Sequence, residues 1–365
     1  MDTVIIGGGI IGLAIGYFLS KRNHCNLEIV ERENQLTMHA SGHNAGGLSS
    51  AHPLQPRELW PLYSQSQKLY VELSNTSGFD FDYKIGGSVL LGTESDEMQF
   101  RFLSQAHADR EYDINVEYLD RGELEQKEPY VSKRYSCALF HPLDAQGNSL
   151  KLAESLRRFC VEKGVMISTG STVRGFEIAG NKVVSLHTNN GTISPKSIVV
   201  AAGPWSGGIS ELMGKNLPVT PVKGHLITIE TGGLKLVNSF VTGSGYYAMQ
   251  NGSAIVVGGG EDKDGFNSRI IPERIREALS EGISMIPQIQ DLNISRAIKT
   301  ACLRPFSGDG VPIIGRSRKL SNVYYATGHF RNGFGLAPVT GEIISQLIID
   351  QVSELATPYI SPGRF

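Results

Sequence analysis

Gly7-Gly8-Gly9-Ile10-Ile11-Gly12, near the start of the chain, has the spacing G-x-G-x-x-G. The six residues stand between an apolar segment that predicts a strand (residues 2–6) and one that predicts a helix (residues 10–20). In this context the first glycine of the motif permits a tight turn, the second lets a pyrophosphate approach the backbone, and the third lets helix and strand pack closely. The phosphate charge then lies at the helix N-terminus, so the motif predicts a dinucleotide site.

An acidic residue after the next predicted strand supports this interpretation. The strand covers Leu27–Glu31, and Glu31 falls about 20 residues after the motif, where a carboxylate can bind a ribose 2′-hydroxyl. The same carboxylate disfavours a 2′-phosphate and therefore NADP. We place Arg32, the next residue, in the same site.

Two further segments favour a flavin over a nicotinamide. Nicotinamide dehydrogenases usually continue into a second half with a catalytic His or Lys, whereas here the loop Ala40–Leu48 is rich in small residues. Its small residues let backbone lie along a large flat ligand. A later predicted strand ends in Val199–Trp205, and its Ala-Gly stop at Gly203 suits the adenosine half of a flavin. These segments favour a flavin as the cofactor, and we place Ser41 and Gly42 of the loop beside it.

The overall composition excludes several classes of protein. Glycine contributes 42 of 365 residues, about 12% against a usual level of about 7%, yet no G-X-Y period points to collagen. Lys and Arg number 34 and Asp and Glu 36, which gives a net charge of −2 and argues against nucleic-acid binding. The 40% hydrophobic content excludes wholesale disorder.

Cysteine spacing and hydropathy bear on the cellular setting. The four cysteines are scattered without a C-x-x-C pair, so we expect neither a disulfide scaffold nor a metal site. Free thiols suit a reducing cytosol, and we predict a cytoplasmic protein. The apolar start lacks a basic segment and a cleavage site, and no run approaches 18 apolar residues, so we expect neither a signal peptide nor a membrane span.

The C-terminal half adds longer and more specific motifs. They are Pro221-Val222-Lys223-Gly224, Leu303-Arg304-Pro305, Pro312-Ile313-Ile314-Gly315, Gly328-His329-Phe330-Arg331-Asn332-Gly333, Leu336-Ala337-Pro338 and the closing Pro362-Gly363-Arg364-Phe365. Together with the N-terminal features, the chain resembles the D-amino acid oxidase (DAO) family of FAD-dependent oxidoreductases, and within it the glycine oxidases most closely. The resemblance covers essentially the whole chain.

The resemblance implies an α/β fold with two interleaved domains. Its first part is a Rossmann-like FAD-binding domain, and its second is a substrate domain built on a large mixed β-sheet. The sequence has no internal repeat and no long linker, which agrees with interleaving. We assign residues 1–78, 146–216 and 299–365 to the FAD-binding domain and residues 79–145 and 217–298 to the substrate domain.

The resemblance also implies roles for individual residues. Arg304 matches an arginine that holds the substrate carboxylate, Tyr246 matches a tyrosine that helps it, and Arg331 matches a nearby arginine. Tyr247 alternates with Tyr246, so a slip of one residue in strand register would exchange their faces. Val173 matches a residue at the adenine portion of FAD, and Gly46, Gly47 and Leu48 match the loop near the flavin ring. The segment expected along the flavin is Asn332, Gly333, Phe334, Gly335, Leu336, Ala337 and Pro338.

Two departures from the glycine oxidases leave alternatives open. The loop with Gly42, His43 and Asn44 is more similar to that of L-2-hydroxyglutarate oxidases and D-arginine-type dehydrogenases, which puts the substrate in doubt. Cys302 stands where the sarcosine oxidase branch of the superfamily attaches its flavin, so it is a candidate for a covalent link. Its alternative role is that of a small buried side chain in a strand.

The sequence thus predicts an enzyme that oxidises the Cα–N bond of glycine, an N-methylglycine or a small D-amino acid. Hydride passes to flavin N5, the imine hydrolyses to a 2-oxo acid, and oxygen or another electron acceptor receives the electrons. No catalytic residue is required beyond the flavin, because the cofactor supplies the redox chemistry. The alternatives are an FAD-dependent 2-hydroxy acid dehydrogenase and a flavin subunit of a larger dehydrogenase complex. The resemblance is compatible with a homo-oligomer without fixing one.

Overall fold

The computed structural model describes residues 1–106 and 116–365. In these residues strands and helices mix along the chain, as the predicted α/β class requires. Strands β1 to β20 are Thr3–Ile6, Leu27–Val30, Gly47–Leu48, Lys84–Ile85, Ser88–Gly92, Glu117–Leu119, Cys137–His141, Ala145–Gln146, Met166–Ser168, Val173–Ala179, Lys182–Thr188, Gly191–Ile193, Ser197–Val200, Val219–Glu230, Phe240–Gly243, Tyr246–Asn251, Ala254–Asp262, Ile298–Ser307, Ile313–Arg316 and Val323–Thr327. Helices α1 to α8 are Ile10–Lys21, Trp60–Ser74, Glu97–Ala106, Arg121–Lys127, Ser149–Glu162, Ser206–Glu211, Pro272–Met285 and Ala337–Ile349.

A six-stranded sheet forms the first layer of the fold. Its strand order is β19-β20-β13-β1-β2-β9, and all neighbours are parallel except β19 and β20. Both faces of β1 are buried, since Ile5 belongs to the apolar core under α1, α5 and α8 whereas Val4 and Ile6 belong to the core under β10 and β11. Burial on both faces explains why the strand is continuously apolar, as is usual in parallel sheets.

An eight-stranded mixed sheet forms the second layer. Its order is β18-β14-β17-β16-β15-β5-β7-β6, and only β15 and β5 are parallel among these described strands. One face packs against α7 through a core that includes Ile227, Val241 and Val257. The other face bounds the cavity described below. The other described strands form two three-stranded sheets, with the orders β3-β8-β4 and β10-β11-β12.

The strands distribute between the two large sheets in an interleaved order. Segments near both chain ends and the middle build the six-stranded sheet, and the segments between them build the eight-stranded sheet. Strand β18 lies in the predicted segment 299–365, but it pairs along its length with β14 of the eight-stranded sheet. The precise domain boundaries remain a prediction.

Two further observations concern the extent of the helices. The sequence predicts a helix over residues 97–108; the structure has it from Glu97 to Ala106, and the last two predicted residues lie outside the described part. In the described ranges no helix combines the length and the apolar character that crossing a bilayer requires.

Candidate functional site

A cavity of about 670 Å³ lies between the two large sheets. Its walls include residues at or just after the carboxyl ends of β1, β2, β13 and β20, such as Gly7, Glu31, Ala201 and Thr327. Ligands in open parallel sheets bind at these carboxyl ends of the strands. The volume falls within the roughly 300–1,000 Å³ of typical ligand sites.

The glycine motif forms one end of this cavity. Gly7 has φ +118°, and a Cβ on Gly12 would lie 1.9 Å from the Gly7 carbonyl oxygen. The motif therefore holds β1 and α1 closer than any side chain allows. Gly9 is the N-cap of α1 and the first turn carries no acidic residue; the Ile10 amide donates to Ser41 Oγ at 3.0 Å. The helix dipole at this end accordingly favours an anion such as a pyrophosphate.

Glu31 is held in a fixed position beside the motif. The Gly8 amide donates to its Oε2 at 2.7 Å, and the Glu33 amide donates to its Oε1 at 2.9 Å. The carboxylate lines the cavity and retains lone pairs that can accept from ribose hydroxyls. The chain thus presents a ready acceptor at the position that the sequence predicted.

Arg32 and Trp205 shape the adenosine side of the cavity. The Arg32 guanidinium lies 3.8 Å from the centre of the Trp205 ring, and the centres of the His39 and Trp205 rings are 4.4 Å apart. All three side chains line the cavity. Val173 and Gly203 line the same cavity. Sequence reasoning missed Trp205 and His39 as wall residues, because the stack joins the loop after β2 to the segment after β13, which is distant in the chain.

The loop after β2 follows the cavity and is fixed by Asn44. Its Nδ2 donates to the Ser41 carbonyl at 2.7 Å and to Ser149 Oγ at 2.8 Å. Asn44 Oδ1 is buried and has no hydrogen-bond partner within the described residues, although Asn44 lines the cavity. A buried acceptor without a partner is costly, so it fits a polar ligand that donates to it.

The segment before α8 forms part of the opposite wall. Asn332, Gly333 and Phe334 line the cavity. Helix α2 holds this segment from behind, since Ser66 Oγ donates to the Gly335 carbonyl and the Tyr70 hydroxyl donates to the Phe334 carbonyl. These two anchors were not identified from the sequence, where a regular helical pattern gives no signal for such contacts.

Arg304 is a buried cation at the substrate end predicted from the sequence. It is 7% exposed, and its Nη1 donates to the Gly260 carbonyl at 2.9 Å. No carboxylate oxygen within the described part of the chain lies within 4.0 Å of its guanidinium, so its charge has no counter-ion there. A Cβ on Gly224 would lie 1.9 Å from Arg304 Nη2, which explains the glycine that closes Pro221–Gly224. A buried guanidinium that faces a cavity with free donors is suited to a carboxylate.

The two neighbouring tyrosines occupy opposite faces of the eight-stranded sheet. Tyr246 pairs with Gly243, where a Cβ would contact Met285 of α7 at 3.4 Å, and, in addition to burial, the Glu277 carboxylate of the same helix helps to raise the pKa of the Tyr246 phenol. Tyr247 pairs with the cavity residue Thr242 instead. Burial raises the pKa of each phenol to about 12, and the Arg304 charge opposes that rise only at Tyr247.

The surroundings of the two phenols bear on the role predicted for Tyr246. Both tyrosines line the cavity, but the hydroxyl of Tyr246 lies within the electrostatic reach of Glu277 on α7, whereas that of Tyr247 lies within the electrostatic reach of Arg304. The register that separates them is set by pairing with β15 and β17, which the sequence alone leaves open.

Arg331 lines the cavity but already has an anionic partner. Its Nε and Nη2 both donate to Glu261 Oε1, at 3.0 and 2.7 Å. The side chains are 35% and 44% exposed, so the pair lies at the rim. The structure thus brings Arg331 near Arg304 without leaving its charge uncompensated.

Cys302 lies in the cavity wall, two residues before Arg304 on β18. It is 7% exposed, and burial raises the pKa of its thiol above the usual value. A protonated thiol is a poor nucleophile. The thioether hypothesis stays a prediction.

The remaining predicted cofactor residues divide by their place in the wall. Those lining the cavity include Ile10, Ile11, Ser41, Gly46 and Gly47. Those behind the wall are Gly12, Gly42, Leu48, Gly335, Leu336, Ala337 and Pro338. Among the described residues no cluster of three or more His, Cys, Asp or Glu side chains could hold a metal ion.

The residues present fit FAD. The glycine turn, the fixed Glu31 acceptor and the unpartnered Asn44 Oδ1 follow one another along the cavity wall, with the buried Arg304 in the same cavity. These groups match a ligand with a diphosphate, a ribose and a large polar ring system beside a small anion.

Comparison with known proteins gives the family. The sequence model of the DAO family, described as FAD dependent oxidoreductase, matches residues 2–347. Hydrogen cyanide synthase subunit HcnC of Pseudomonas aeruginosa is 28% identical over 407 residues, covering 100% of this chain and 96% of that protein. Glycine oxidase of Bacillus subtilis is 29% identical over 357 residues, covering 96% and 93%.

A solved structure agrees with these relatives. The crystal structure of glycine oxidase from Geobacillus kaustophilus superposes with a TM-score of 0.91 at 26% identity, covering 100% of this chain and 98% of that one. The predicted family, fold class, enzyme class and cofactor are all confirmed. The chain belongs to the DAO family of FAD-dependent oxidoreductases, and FAD is its cofactor.

Proposed function

We propose that the chain oxidises the Cα–N bond of a small amino acid that carries one carboxylate: glycine, an N-methylglycine or a small D-amino acid. The observation that carries the proposal is the buried Arg304, whose charge has no counter-ion within the described residues and whose donors face the cavity. The similarity to glycine oxidases over nearly the whole chain supports it.

Arg304 would bind and orient the substrate. A guanidinium can hold a carboxylate through two parallel hydrogen bonds, which fixes the Cα–H bond in one direction. The Gly260 carbonyl holds one edge of the guanidinium, so the arginine itself is already ordered. When bound, FAD supplies the two-electron acceptor for this C–H bond.

Tyr247 would add the second contact to the carboxylate. Its pKa of about 12 keeps the hydroxyl protonated at neutral pH, so it can donate a hydrogen bond without carrying charge. We assign this role to Tyr247 rather than Tyr246, because Tyr247 pairs with the cavity residue Thr242 and its phenol feels the charge of Arg304, whereas the Tyr246 phenol is influenced by Glu277 of α7. The substrate amine must be neutral when the C–H bond breaks, and we assign no residue as its base. The product imine hydrolyses to a 2-oxo acid, and oxygen or another acceptor takes up the electrons.

The test is anaerobic reduction of the bound flavin by candidate substrates. We expect the yellow absorbance to bleach with glycine, N-methylglycine, D-alanine or D-proline, and not with L-2-hydroxyglutarate. Bleaching by the hydroxy acid alone would overturn the proposal and establish the 2-hydroxy acid dehydrogenase alternative.

A second candidate function is that of a flavin subunit in a larger dehydrogenase complex. The relative HcnC is by its name a subunit of hydrogen cyanide synthase, and its similarity spans 100% of this chain. Turnover of an artificial dye by the purified chain alone separates the two candidates. A cytoplasmic location and a homo-oligomer remain parts of the proposal.

A further inference from the structure

Two arginines, Arg304 and Arg331, lie at the substrate end of the cavity. Each binds a different kind of group near the end of β17. Gly260 offers a neutral carbonyl to Arg304, whereas the next residue, Glu261, offers a carboxylate to Arg331. Arg304 therefore keeps a full positive charge for a ligand. Arg331 and Glu261 together carry no net charge.

Both guanidinium groups lie close enough to act on one ligand. Each lines the cavity, and the charges of both reach the Tyr247 hydroxyl. The backbone also fixes the base of Arg331, because the preceding Phe330 has φ +50° and its amide donates to the Pro305 carbonyl at 2.9 Å. The backbone turn at Phe330 thus holds Arg331 next to β18, the strand that carries Arg304.

We propose that Glu261 determines substrate specificity by neutralising Arg331, so that the site accepts monocarboxylates and discriminates against dicarboxylates. The inference rests on the proposed function for the identity of the substrate, but the charge argument concerns any carboxylate ligand. A second carboxylate that approaches Arg331 meets Glu261 on the same guanidinium. Placing like charges side by side costs binding free energy, and this cost rejects the wrong ligand.

Because the Glu261–Arg331 pair lies at the rim of the cavity, it can be removed by substitution to test its effect on ligand choice. An ion pair this exposed contributes little to folding stability, so its removal leaves the fold intact. Substituting Glu261→Gln removes the negative charge and keeps the size of the side chain. Arg331 then becomes a second free cation beside Arg304.

The experiment measures the Kd of two unreactive acids from their perturbation of the flavin absorbance. Propionate and succinate differ by one carboxylate. In the wild-type holoenzyme we expect succinate to bind no more tightly than propionate. In Glu261→Gln we expect the affinity for succinate to rise about 10-fold, with propionate changed less than about 3-fold.

Two further variants serve as controls. Glu154→Gln removes the same charge from an exposed pair with Arg157 on α5 and should leave both Kd values unchanged. The double variant Glu261→Gln, Arg331→Ala should lose the gain for succinate, because the cation that it depends on is absent. A gain that persists in the double variant would assign the effect to something other than Arg331.

Two results would overturn the inference: a wild-type preference for succinate of about 10-fold or more, or an unchanged ratio of the two Kd values in Glu261→Gln. Flavin reduction by D-alanine and D-aspartate, which also differ by one carboxylate, is followed in parallel. If none of glycine, N-methylglycine, D-alanine and D-proline bleaches the flavin but the acids behave as expected, the proposed function fails while the role of Glu261 holds. If D-alanine bleaches it and the acid ratio does not shift, the role of Glu261 fails alone.

Discussion

At the glycine-rich end of the cavity the ligand-facing groups are set by the local backbone, whereas at the arginine end they are side chains from distant strands. Glu31 is held by the amides of Gly8 and Glu33, all within one βαβ unit. Arg304 and Tyr247 come from β18 and β16, which are joined only through β14 and β17. One end is built by short-range geometry and the other by sheet register.

The comparison explains how far each end was predictable. The glycine spacing and the acid after β2 are local patterns, so the sequence identified the dinucleotide end, the α/β fold and FAD. At the arginine end, the resemblance predicts roles for Arg304 and Tyr246, whereas in the structure Tyr247 is the tyrosine on which the Arg304 charge acts, because the sheet register that decides this is left open by the sequence. The Glu261–Arg331 pair was likewise invisible, because it depends on where β17 ends relative to the turn at Phe330.

Removing the charge of Arg304 at the arginine end should have the largest effect. Arg304→Ala should lower kcat/KM for the amine substrate by about 10³-fold, because a desolvated carboxylate loses its paired cation. Stopped-flow flavin reduction measures the change. Arg157→Ala on α5 is the matched control and should behave as the wild type. A loss below about 10-fold in Arg304→Ala with normal flavin content contradicts the assigned role.

The glycine end is best disturbed at Gly12. A Cβ there would lie 1.9 Å from backbone oxygen, so Gly12→Ala should lower the free energy of unfolding by about 3 kcal/mol and yield protein depleted of FAD. Urea unfolding and flavin content measure both effects. Gly175→Ala on β10, where a Cβ meets nothing within 4 Å, should change neither. Full flavin content in Gly12→Ala would contradict the inference that FAD binding depends on the close approach of β1 and α1.

The two tyrosines allow a test of register at the arginine end. Tyr247→Phe should reduce kcat/KM about 10-fold by removing a hydrogen bond to a charged group, and Tyr246→Phe less than about 3-fold. The paired variants are compared with the same substrate by flavin reduction. The reverse order of effects would restore the original assignment of Tyr246.

A buried histidine beneath the arginine end predicts a pH dependence of stability. His329 is 2% exposed, and burial lowers its pKa to about 3, below its unfolded value near 6.5. The unfolded state therefore binds more protons between these values, so stability is full above pH 6.5 and falls as the pH drops. Because unfolded His329 takes up a proton that the folded protein does not, the free energy of unfolding should be about 1 kcal/mol lower at pH 5.5 than at pH 7.5.

Urea unfolding of the holoenzyme at pH 7.5 and 5.5 measures this change. His329→Gln keeps a polar partner for Thr340 and should show a smaller loss between the two pH values than the wild type. Equal losses in both proteins would remove His329 from the explanation.

The smallest expected effect concerns Cys302. Because burial keeps its thiol protonated, we expect acid precipitation to release all of the flavin into the supernatant. Cys302→Ser should release it equally. Yellow colour that remains with the wild-type precipitate and disappears in Cys302→Ser would instead establish the thioether.

The central claim is that the uncompensated charge of Arg304 selects a carboxylate in the FAD cavity. The most direct measurement compares the Kd of propionate with that of its neutral isostere propionamide, in the wild type and in Arg304→Ala. We predict that the wild type binds propionate about 100-fold more tightly than propionamide and that the preference disappears in the variant. An equal preference for propionate in both proteins would contradict the account.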